Sequence, residues 1–220
     1  MMASSSIKIV DVTEDPKYER FLYWCIFHPK KDFAQSTIKE KHRQRHQYLQ
    51  SAISKGFRKK VLFYKGDHVG MIEYAPTEAA GIPIMGENIV VMNCIWVQRK
   101  FAGNRFGKRL IKHMIEDNKG ATGFATLGCE DGLHPVYVRK HDMERLGFEF
   151  VKSIKVKHRG KRSGRYFTIH LMWMPVAKNA KPPTWDEPKL LEGLFFCEHH
   201  PLYHGRHGCA EMKDILEKAP

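Results

Sequence analysis

Hydrophobic and polar residues alternate along several short stretches of the chain, which is the pattern of half-buried strands. Other stretches repeat their apolar residues every three or four positions, as amphipathic helices do. Residues 89–97 are almost all apolar, which predicts a strand buried on both faces. The predicted strands cover about 7–12, 60–65, 69–74, 89–97, 123–129, 149–157 and 166–174. The predicted helices cover about 15–28, 37–54, 105–117 and 136–146.

A proline-rich stretch, residues 178–188, marks the predicted end of the folded domain. Prolines at positions 182, 183 and 188 disfavour a regular element there, and such segments are typical of linkers. We therefore predict one α/β domain over residues 1–176, followed by a linker and a Cys/His-rich tail over residues 177–220. A chain of 220 residues is long enough for such a domain to bury a sizeable core.

Composition narrows the class of protein. No apolar stretch approaches the length of a membrane span, and residues 1–6 are small and polar, so we expect neither a membrane helix nor a secretory signal. The five scattered cysteines do not form the even, regularly spaced set of a disulfide framework. We therefore expect a protein of the reducing cytoplasm, with no membrane partner.

The formal net charge of +13 favours acidic partners, such as nucleic acid, an anionic membrane surface or a phosphorylated small molecule. Basic residues are spread over the whole chain, which favours the simpler explanation of a diffuse basic surface. They are dense only in Lys152–Arg165, where Gly160 and Gly164 indicate the exposed tip of a hairpin. Nucleic acid therefore stays open as a partner, without being the favoured one.

The central unit is the apolar strand that ends at Val97, the loop after it and the helix that begins near Arg105. Helix N-termini have unpaired backbone N–H groups and a partial positive charge, and glycines such as Gly103 and Gly107 let a backbone approach an anion closely. More positive charge comes from Lys100, Arg105, Lys108 and Arg109. The unit suits a pyrophosphate, although it matches neither the P-loop nor the dinucleotide fingerprint. A tight strand–helix turn without a ligand is the alternative.

The order of elements and this loop together resemble the GNAT acetyltransferase family. In that family the fourth strand ends in an apolar-x-Val, here Ile95-Trp96-Val97, and the next loop has the form Arg/Gln-x-x-Gly-x-Gly/Ala. Gly147-Phe148 is similar to the Gly-Phe that closes the family's last helix. A closer resemblance, to YoaP-type acetyltransferases, rests on Met71–Pro76, Ile82–Ile84, Met92–Val97 and Phe101–Leu110.

The resemblance implies a mixed, mostly antiparallel central sheet flanked by helices. It implies an acyl-CoA-dependent N-acetyltransferase that moves an acetyl group from acetyl-CoA to a primary amine of a small molecule or a protein. The co-substrate is then acetyl-CoA, and the chemistry uses no metal. The cofactor-binding residues that it implies are Ile95, Trp96, Val97, Ala102, Gly103, Asn104, Arg105, Phe106, Gly107 and Lys108.

Three positions depart from the family pattern. Ala102 stands where Arg or Gln is usual, Arg105 stands where the middle glycine is usual, and Met143 stands where a tyrosine acid is usual. These departures leave an alternative open, in which the chain is a GNAT-like module that binds acyl-CoA or nucleic acid without turnover.

Amide formation requires a polarised thioester carbonyl and an amine that has lost its proton. The resemblance assigns the first task to the backbone of Ile95–Val97, and it puts Cys94 at the usual acidic position. Glu73 on the adjacent strand is the preferred base, since burial there would raise its pKa. The alternative is that Glu73 pairs with a basic side chain.

An acid that protonates the leaving thiolate has to be sought near residue 143, because Met143 cannot serve. Tyr137 is the preferred substitute, and His134 and His141 lie near it in the sequence. Tyr137 as a packing aromatic is the alternative. Cys129, at a strand end, is either close to the acyl group or a small core residue.

The final segment concentrates side chains that ligate zinc or copper. These residues are Cys197, His199, His200, His204, His207 and Cys209. Their spacing matches no standard zinc finger. We therefore expect a tail whose histidines are solvated or which packs through its aromatic residues, and a metal-responsive tail is the alternative.

Overall fold

The computed structural model describes residues 7–23, 38–40, 42–130, 138–159, 165–198, 200, 202–204 and 214–220. The strands are β1 (Ile7–Asp11), β2 (Arg58–Tyr64), β3 (Asp67–Pro76), β4 (Ile84–Met85), β5 (Ile89–Val97), β6 (Gly123–Glu130), β7 (Glu149–His158), β8 (Tyr166–Pro175), β9 (Thr184–Trp185) and β10 (Leu216–Lys218). The α-helices are α1 (Arg43–Ile53), α2 (Phe106–Asp117), α3 (Lys140–Leu146) and α4 (Glu187–Glu192), and a 3-10 helix covers Pro16–Tyr23.

One large sheet organises the described part of the chain. Its strand order is β1-β2-β3-β5-β6-β8-β7-β10, and β5 and β6 are its parallel neighbours while the other pairs are antiparallel. The expected α/β fold with a mixed, mostly antiparallel sheet is thereby confirmed. The strand predicted for residues 89–97 has those bounds, because a long apolar run between turn residues leaves few other places for a strand.

Both faces of the sheet are covered. On one face, α2 and α3 pack through apolar residues at helical spacing, among them Phe106, Leu110 and Met114. On the other face, α1 and the 3-10 helix pack over β2 and β3 through residues such as Leu49 and Phe21. Within the described residues, no helix is long and apolar enough to cross a membrane.

The segment predicted as a linker and tail is instead part of the domain. Trp185 pairs with Ile84 in the small β4–β9 sheet, and it is buried in the same core as strands β5 to β8. β10 extends the large sheet by pairing with β7. The prolines suggested a linker, but the apolar residues between and after them pack against strands β5 to β8 and cover that part of the sheet. The buried members of this segment are Trp185, Leu190, Leu194, Phe196, Cys197, Leu202, Ile215 and Leu216.

The first predicted helix is a 3-10 helix as far as Tyr23, and its expected continuation lies outside the described residues. Residues 38–40 are helical and α1 covers Arg43–Ile53, in agreement with the helix predicted for residues 37–54. The side chain of His42 makes no cap hydrogen bond, and its N–H donates to the Ile38 carbonyl at 3.0 Å, as in a helical turn.

Candidate active site

Strand β5 contains an irregularity at its midpoint. Glu73 of β3 lies opposite Cys94, but the next residue of β3, Tyr74, lies opposite Met92. Asn93 is therefore an extra residue on β5, which makes a β-bulge. Bulges bend a strand and increase its twist, and they are common next to active sites.

The pairing between β5 and β6 ends just before this bulge. The last residue pair of their ladder is Val91 with Ala125. Thr126 still reaches across, because its hydroxyl donates to the Met92 carbonyl at 2.8 Å. Beyond that point both strands continue without pairing to each other, to Val97 and Glu130, so a gap opens between their C-terminal ends.

The side chain of Asn93 holds the bulge in place. Its amide nitrogen donates to the Tyr48 hydroxyl at 2.7 Å, and its amide oxygen accepts from the Gly81 N–H at 3.2 Å. The Tyr48 hydroxyl donates in turn to the Ala79 carbonyl at 3.0 Å. A residue of β5 thus connects α1 with the loop after β3, and this fixes where the gap begins.

Two backbone amides of β5 point into the gap. The Gln98 N–H donates to the Val69 carbonyl at 2.8 Å, which marks these two residues as a hydrogen-bonded pair of the β3–β5 ladder. Such pairs alternate along antiparallel strands, so Val97 and Ile95 direct their N–H and C=O groups away from β3. These groups face the side from which β6 has separated.

The loop between β5 and α2 presents further amides. Gly103 has a φ of 85° and Arg105, the N-cap of α2, has a φ of 56°, so both adopt left-handed backbone conformations. The first backbone bond of the helix runs from the Arg109 N–H to the Arg105 carbonyl at 3.1 Å. Within the described residues, no backbone bond is formed by the amides of Phe106, Gly107 and Lys108. Such a run of amides at a helix N-terminus is a site for an anion.

A cleft of about 640 Å³ joins the gap, the loop and α3. The sequence-derived cofactor residues line it, with the exception of Asn104, whose side chain donates to the Phe101 carbonyl at 3.0 Å. The predicted cofactor-binding residues that line the cleft are Ile95, Trp96, Val97, Ala102, Gly103, Arg105, Phe106, Gly107 and Lys108.

The far wall of the cleft comes from α3 and the residues before it, which sequence reasoning mostly missed. Val138, Asp142, Arg145 and Leu146 line this wall beside Met143. The available signal was the position of this helix before Gly147, where the chain returns to the sheet. Of the residues that line the described part of the cleft, Asp142 alone carries a carboxylate.

Helix α2 is fixed at its other end by a polar cluster. The Tyr74 hydroxyl donates to Asp117 at 2.5 Å, and the Lys60 ammonium lies 2.6 Å from the same carboxylate. These contacts join the C-terminal turn of α2 to β2 and β3. The N-terminus of the helix is thereby directed at the gap.

Glu73 takes the alternative that the sequence left open, a pairing with basic side chains. It has no exposed surface. Its carboxylate accepts from Arg45 at 2.6 and 3.2 Å and lies 2.8 Å from the Lys59 ammonium. Burial alone would raise the pKa of Glu73, but the two cations outweigh it and hold the pKa below its usual value. A sealed carboxylate of low pKa is a structural charge, not a poised base.

The cations of this buried triad, which consists of Arg45, Lys59 and Glu73, have further partners. Arg45 donates to the Leu22 carbonyl at 2.8 Å and to the Phe196 carbonyl at 3.1 Å. Lys59 also donates to the Leu22 carbonyl, at 3.3 Å. The triad therefore joins the 3-10 helix, α1, the sheet and the C-terminal segment.

The other candidate catalytic residues have mixed positions. Cys94 is half-buried and lies opposite Glu73 on the α1 side of the sheet. Tyr137 and His134 lie outside the described residues. The His141 side chain is 70% exposed and does not line the cleft. Burial raises the pKa of Cys129 to about 12, so its thiol stays protonated and it packs as a core residue.

The Cys/His-rich segment contributes to packing where the structure describes it. Cys197 is buried in the core, and His204 stacks on Phe195 with ring centroids 5.0 Å apart. Across the described residues, no group of three or more His, Cys, Asp and Glu side chains is arranged to hold a metal. His199, His207 and Cys209 lie outside the described residues.

Comparison with known proteins identifies a matching family and several relatives. A family model described as the acetyltransferase (GNAT) family matches residues 21–148. The uncharacterized N-acetyltransferase YoaP of Bacillus subtilis is 35% identical over 79 residues, which are 35% of this chain and 31% of that protein. A chloroplastic pentatricopeptide repeat-containing protein of Arabidopsis thaliana is 29% identical over 102 residues, 46% of this chain and 16% of that protein. The chain therefore spans less than a third of the length of these curated relatives.

Among solved structures, a GNAT-family protein from Desulfovibrio desulfuricans superimposes with a TM-score of 0.53 at 16% identity. The match covers 78% of this chain and 99% of that one. At this level of identity, the similarity is one of fold.

Proposed function

The chain belongs to the GNAT acetyltransferase family, and we propose that it transfers an acetyl group from acetyl-CoA to a primary amine. The observation that carries this proposal is the cleft in which unpaired helix amides and two β5 amides face the same space. One set of amides suits an anion, and the other suits a carbonyl oxygen. A thioester of a pyrophosphate-containing carrier has both groups.

The residues of the loop fit the pyrophosphate of acetyl-CoA. The left-handed conformations at Gly103 and Arg105 turn successive amides toward one side, and the cations of Arg105 and Lys108 lie at the same place. Phosphate oxygens accept from such amides, and the partial positive charge of the α2 N-terminus adds to the attraction. Arg105 has a left-handed backbone conformation, which glycine adopts readily, so this departure from the family pattern is compatible with binding.

The amides of Ile95 and Val97 are proposed to polarise the thioester carbonyl. Acyl transfer places negative charge on that oxygen as the amine attacks, and fixed N–H donors stabilise the charge. The new bond joins the amine nitrogen to the carbonyl carbon, and the carbon–sulfur bond breaks. The nitrogen loses one proton, and the leaving thiolate gains one.

Apart from Asp142 on the α3 wall, the described side chains that line the cleft include no carboxylate or imidazole that could act as a base. Glu73 of β3 is buried and paired with Arg45 and Lys59. We therefore propose that water carries the amine proton out of the gap. Cys94, the residue opposite Glu73, is proposed to lie beside the incoming amine. Tyr137 stays a proposal for the proton donor to the thiolate.

Acetyl-CoA binding tests the cofactor assignment. Gly107→Asp places a carboxylate among the amides of the α2 N-terminus, and a Cβ there meets only a Leu146 side chain at 3.4 Å, so the variant should fold. We expect affinity for acetyl-CoA, measured by calorimetry, to fall about tenfold or more through charge repulsion. Gly120→Asp makes the same change where a Cβ has open space, and it should leave affinity unchanged. Equal affinities in the two variants would place the pyrophosphate elsewhere.

Turnover is tested separately, by thiol release from acetyl-CoA across a panel of small-molecule amines, N-terminal peptides and lysine peptides. The expected result is release that depends on one class of amine and is lost in Gly107→Asp. Tight acetyl-CoA binding without turnover of any amine would favour a binding module instead.

A further inference from the structure

A second polar surface lies away from the cleft, on the β7–β8 hairpin. Phe150, Lys155 and Lys157 of β7 lie opposite Met172, Thr168 and Tyr166 of β8. Opposite residues share a face of a sheet, and so do alternate residues along a strand. These side chains therefore form one surface on the α3 side of the sheet, which Arg159 extends. We call Phe150, Lys155, Lys157, Arg159 and Tyr166 the hairpin face.

Two aromatic rings on this face each have an ammonium group beside them. Phe150 is 50% exposed, and the Lys140 ammonium lies 5.4 Å from its ring centroid. Tyr166 has two such neighbours, Lys155 at 6.0 Å and Lys157 at 5.6 Å. Phe150 lies opposite Met172, which is six positions along β8 from Tyr166. At the rise of a strand, the two rings are therefore roughly 20 Å apart.

The balance of charge on the hairpin face is positive. Glu217 of β10 lies 3.1 Å from Lys157 and 3.7 Å from Arg159, so one carboxylate serves two cations. Two further carboxylates border the face, Glu144 at 3.7 Å from Lys140 and Glu130 at 3.0 Å from His170. Lys155 is exposed, and the described residues give it no carboxylate partner. The catalytic assignment uses none of the hairpin face.

We propose that the hairpin face binds single-stranded nucleic acid. Phe150 is exposed and Tyr166 is partly exposed. Aromatic rings at the surface of a strand stack on unpaired bases, and cations between them contact the backbone phosphates. An acidic polypeptide would satisfy the cations but would leave the rings without a stacking partner. The net charge of +13 adds a long-range attraction for any polyanion. The proposal does not depend on the acetyltransferase activity.

The test is fluorescence anisotropy of the full chain with a labelled single-stranded oligonucleotide of about 12 nucleotides. We expect a Kd below about 100 µM at low salt. Three cations on phosphates, Lys155, Lys157 and Arg159, predict that raising the salt fourfold weakens binding about 20-fold. Binding weaker than this limit by the wild-type protein would overturn the proposal.

Paired variants separate stacking from diffuse charge. Phe150→Ala changes no charge, yet it should weaken binding about fivefold or more by removing a stacking surface. Its control, Phe195→Ala, removes an equally exposed phenylalanine from another part of the surface and should have no effect. Lys155→Glu should weaken binding more than Lys119→Glu, which makes the same charge change at an exposed site beyond α2.

Two outcomes would contradict the proposal. Unchanged binding in Phe150→Ala, with equal losses in the two lysine variants, would indicate attraction by net charge alone. Tighter binding of polyglutamate than of the oligonucleotide, with the same sensitivity to Lys155→Glu, would assign the face to an acidic polypeptide. Circular dichroism of each variant establishes that it is folded.

Discussion

The buried triad and the loop before α2 both concentrate positive charge near β5. They differ in whether their polar groups are already paired within the protein. In the buried triad, Glu73 is fully enclosed, and its carboxylate is paired with both Arg45 and Lys59. In the loop before α2, cations lie beside backbone amides that have no backbone partner among the described residues. The first region uses charge to join elements, whereas the second keeps donors available to a ligand. Composition alone does not distinguish them, since both are basic residues near an apolar strand.

The largest expected effect breaks the closed region. Glu73→Gln leaves two buried cations with no carboxylate, and breaking a buried ion pair costs about 3–5 kcal/mol. We expect a matching loss in the free energy of unfolding, measured by urea denaturation. Glu87→Gln, at an exposed position, should change it by less than about 0.5 kcal/mol. A stable Glu73→Gln protein with greatly reduced turnover would instead restore the role of Glu73 as the base.

The wild-type protein and Glu73→Gln should also differ in how their free energy of unfolding depends on pH. The pKa of Glu73 in the folded chain lies below its usual value of 4.5. Its carboxylate therefore contributes stability that is present above about pH 4.5 and is lost as the pH falls through the folded-state pKa. The wild-type protein should lose stability in this range more steeply than Glu73→Gln. Parallel curves would show that the triad is not what responds to acid.

An intermediate effect is expected where the two regions meet, at the β-bulge. Asn93→Ala removes the bonds to Tyr48 and Gly81 and leaves the partly buried Gly81 N–H unpaired, which costs about 1–3 kcal/mol. Asn104→Ala, whose side chain bonds only its own exposed loop, should cost far less. Acetyl-CoA affinity should fall in Asn93→Ala as well, because the bulge sets where the gap opens. Lost stability with unchanged affinity would separate the bulge from the cleft.

The smallest effect is expected in the loop before α2, where the substitution should increase stability instead of lowering it. Arg105 has a φ of 56°, a conformation that costs a non-glycine residue about 1 kcal/mol. Arg105→Gly should therefore raise the melting temperature slightly. Lys65→Gly, at a φ of 51° in the β2–β3 turn, should give a similar gain. A loss of stability only in Arg105→Gly would mean that the arginine side chain itself supports the loop.

The elements of the fold were largely predictable, because they depend on local patterns. The apolar run of β5, the turn at Gly66 and the glycines beside α2 each carry their signal within about ten residues. The β5 and loop side of the cleft followed from the same unit and from the family resemblance. Its α3 wall did not, since a short helix with exposed Asp142 and Arg145 has no distinguishing pattern.

The features that were missed depend on contacts between distant residues. Arg45 and Glu73 are 28 residues apart, and nothing local indicates that a helix arginine is buried against a strand glutamate. The bulge at Asn93 is visible only in the pairing of β5 with β3. The C-terminal segment was misjudged because its prolines are a strong local signal, while the core that Trp185 and Leu216 complete is formed by strands far earlier in the chain.

The position of β10 has a consequence for synthesis. Translation proceeds from the N-terminus, so the sheet acquires the strand beside β7 only when residues 216–218 have left the ribosome. Until then, the apolar surface that Ile215 and Leu216 bury stays open, and such surfaces promote aggregation of incomplete chains. We expect nascent chains arrested before residue 214 to require a chaperone. We expect the domain to become resistant to proteolysis only after β10 has emerged and paired with β7.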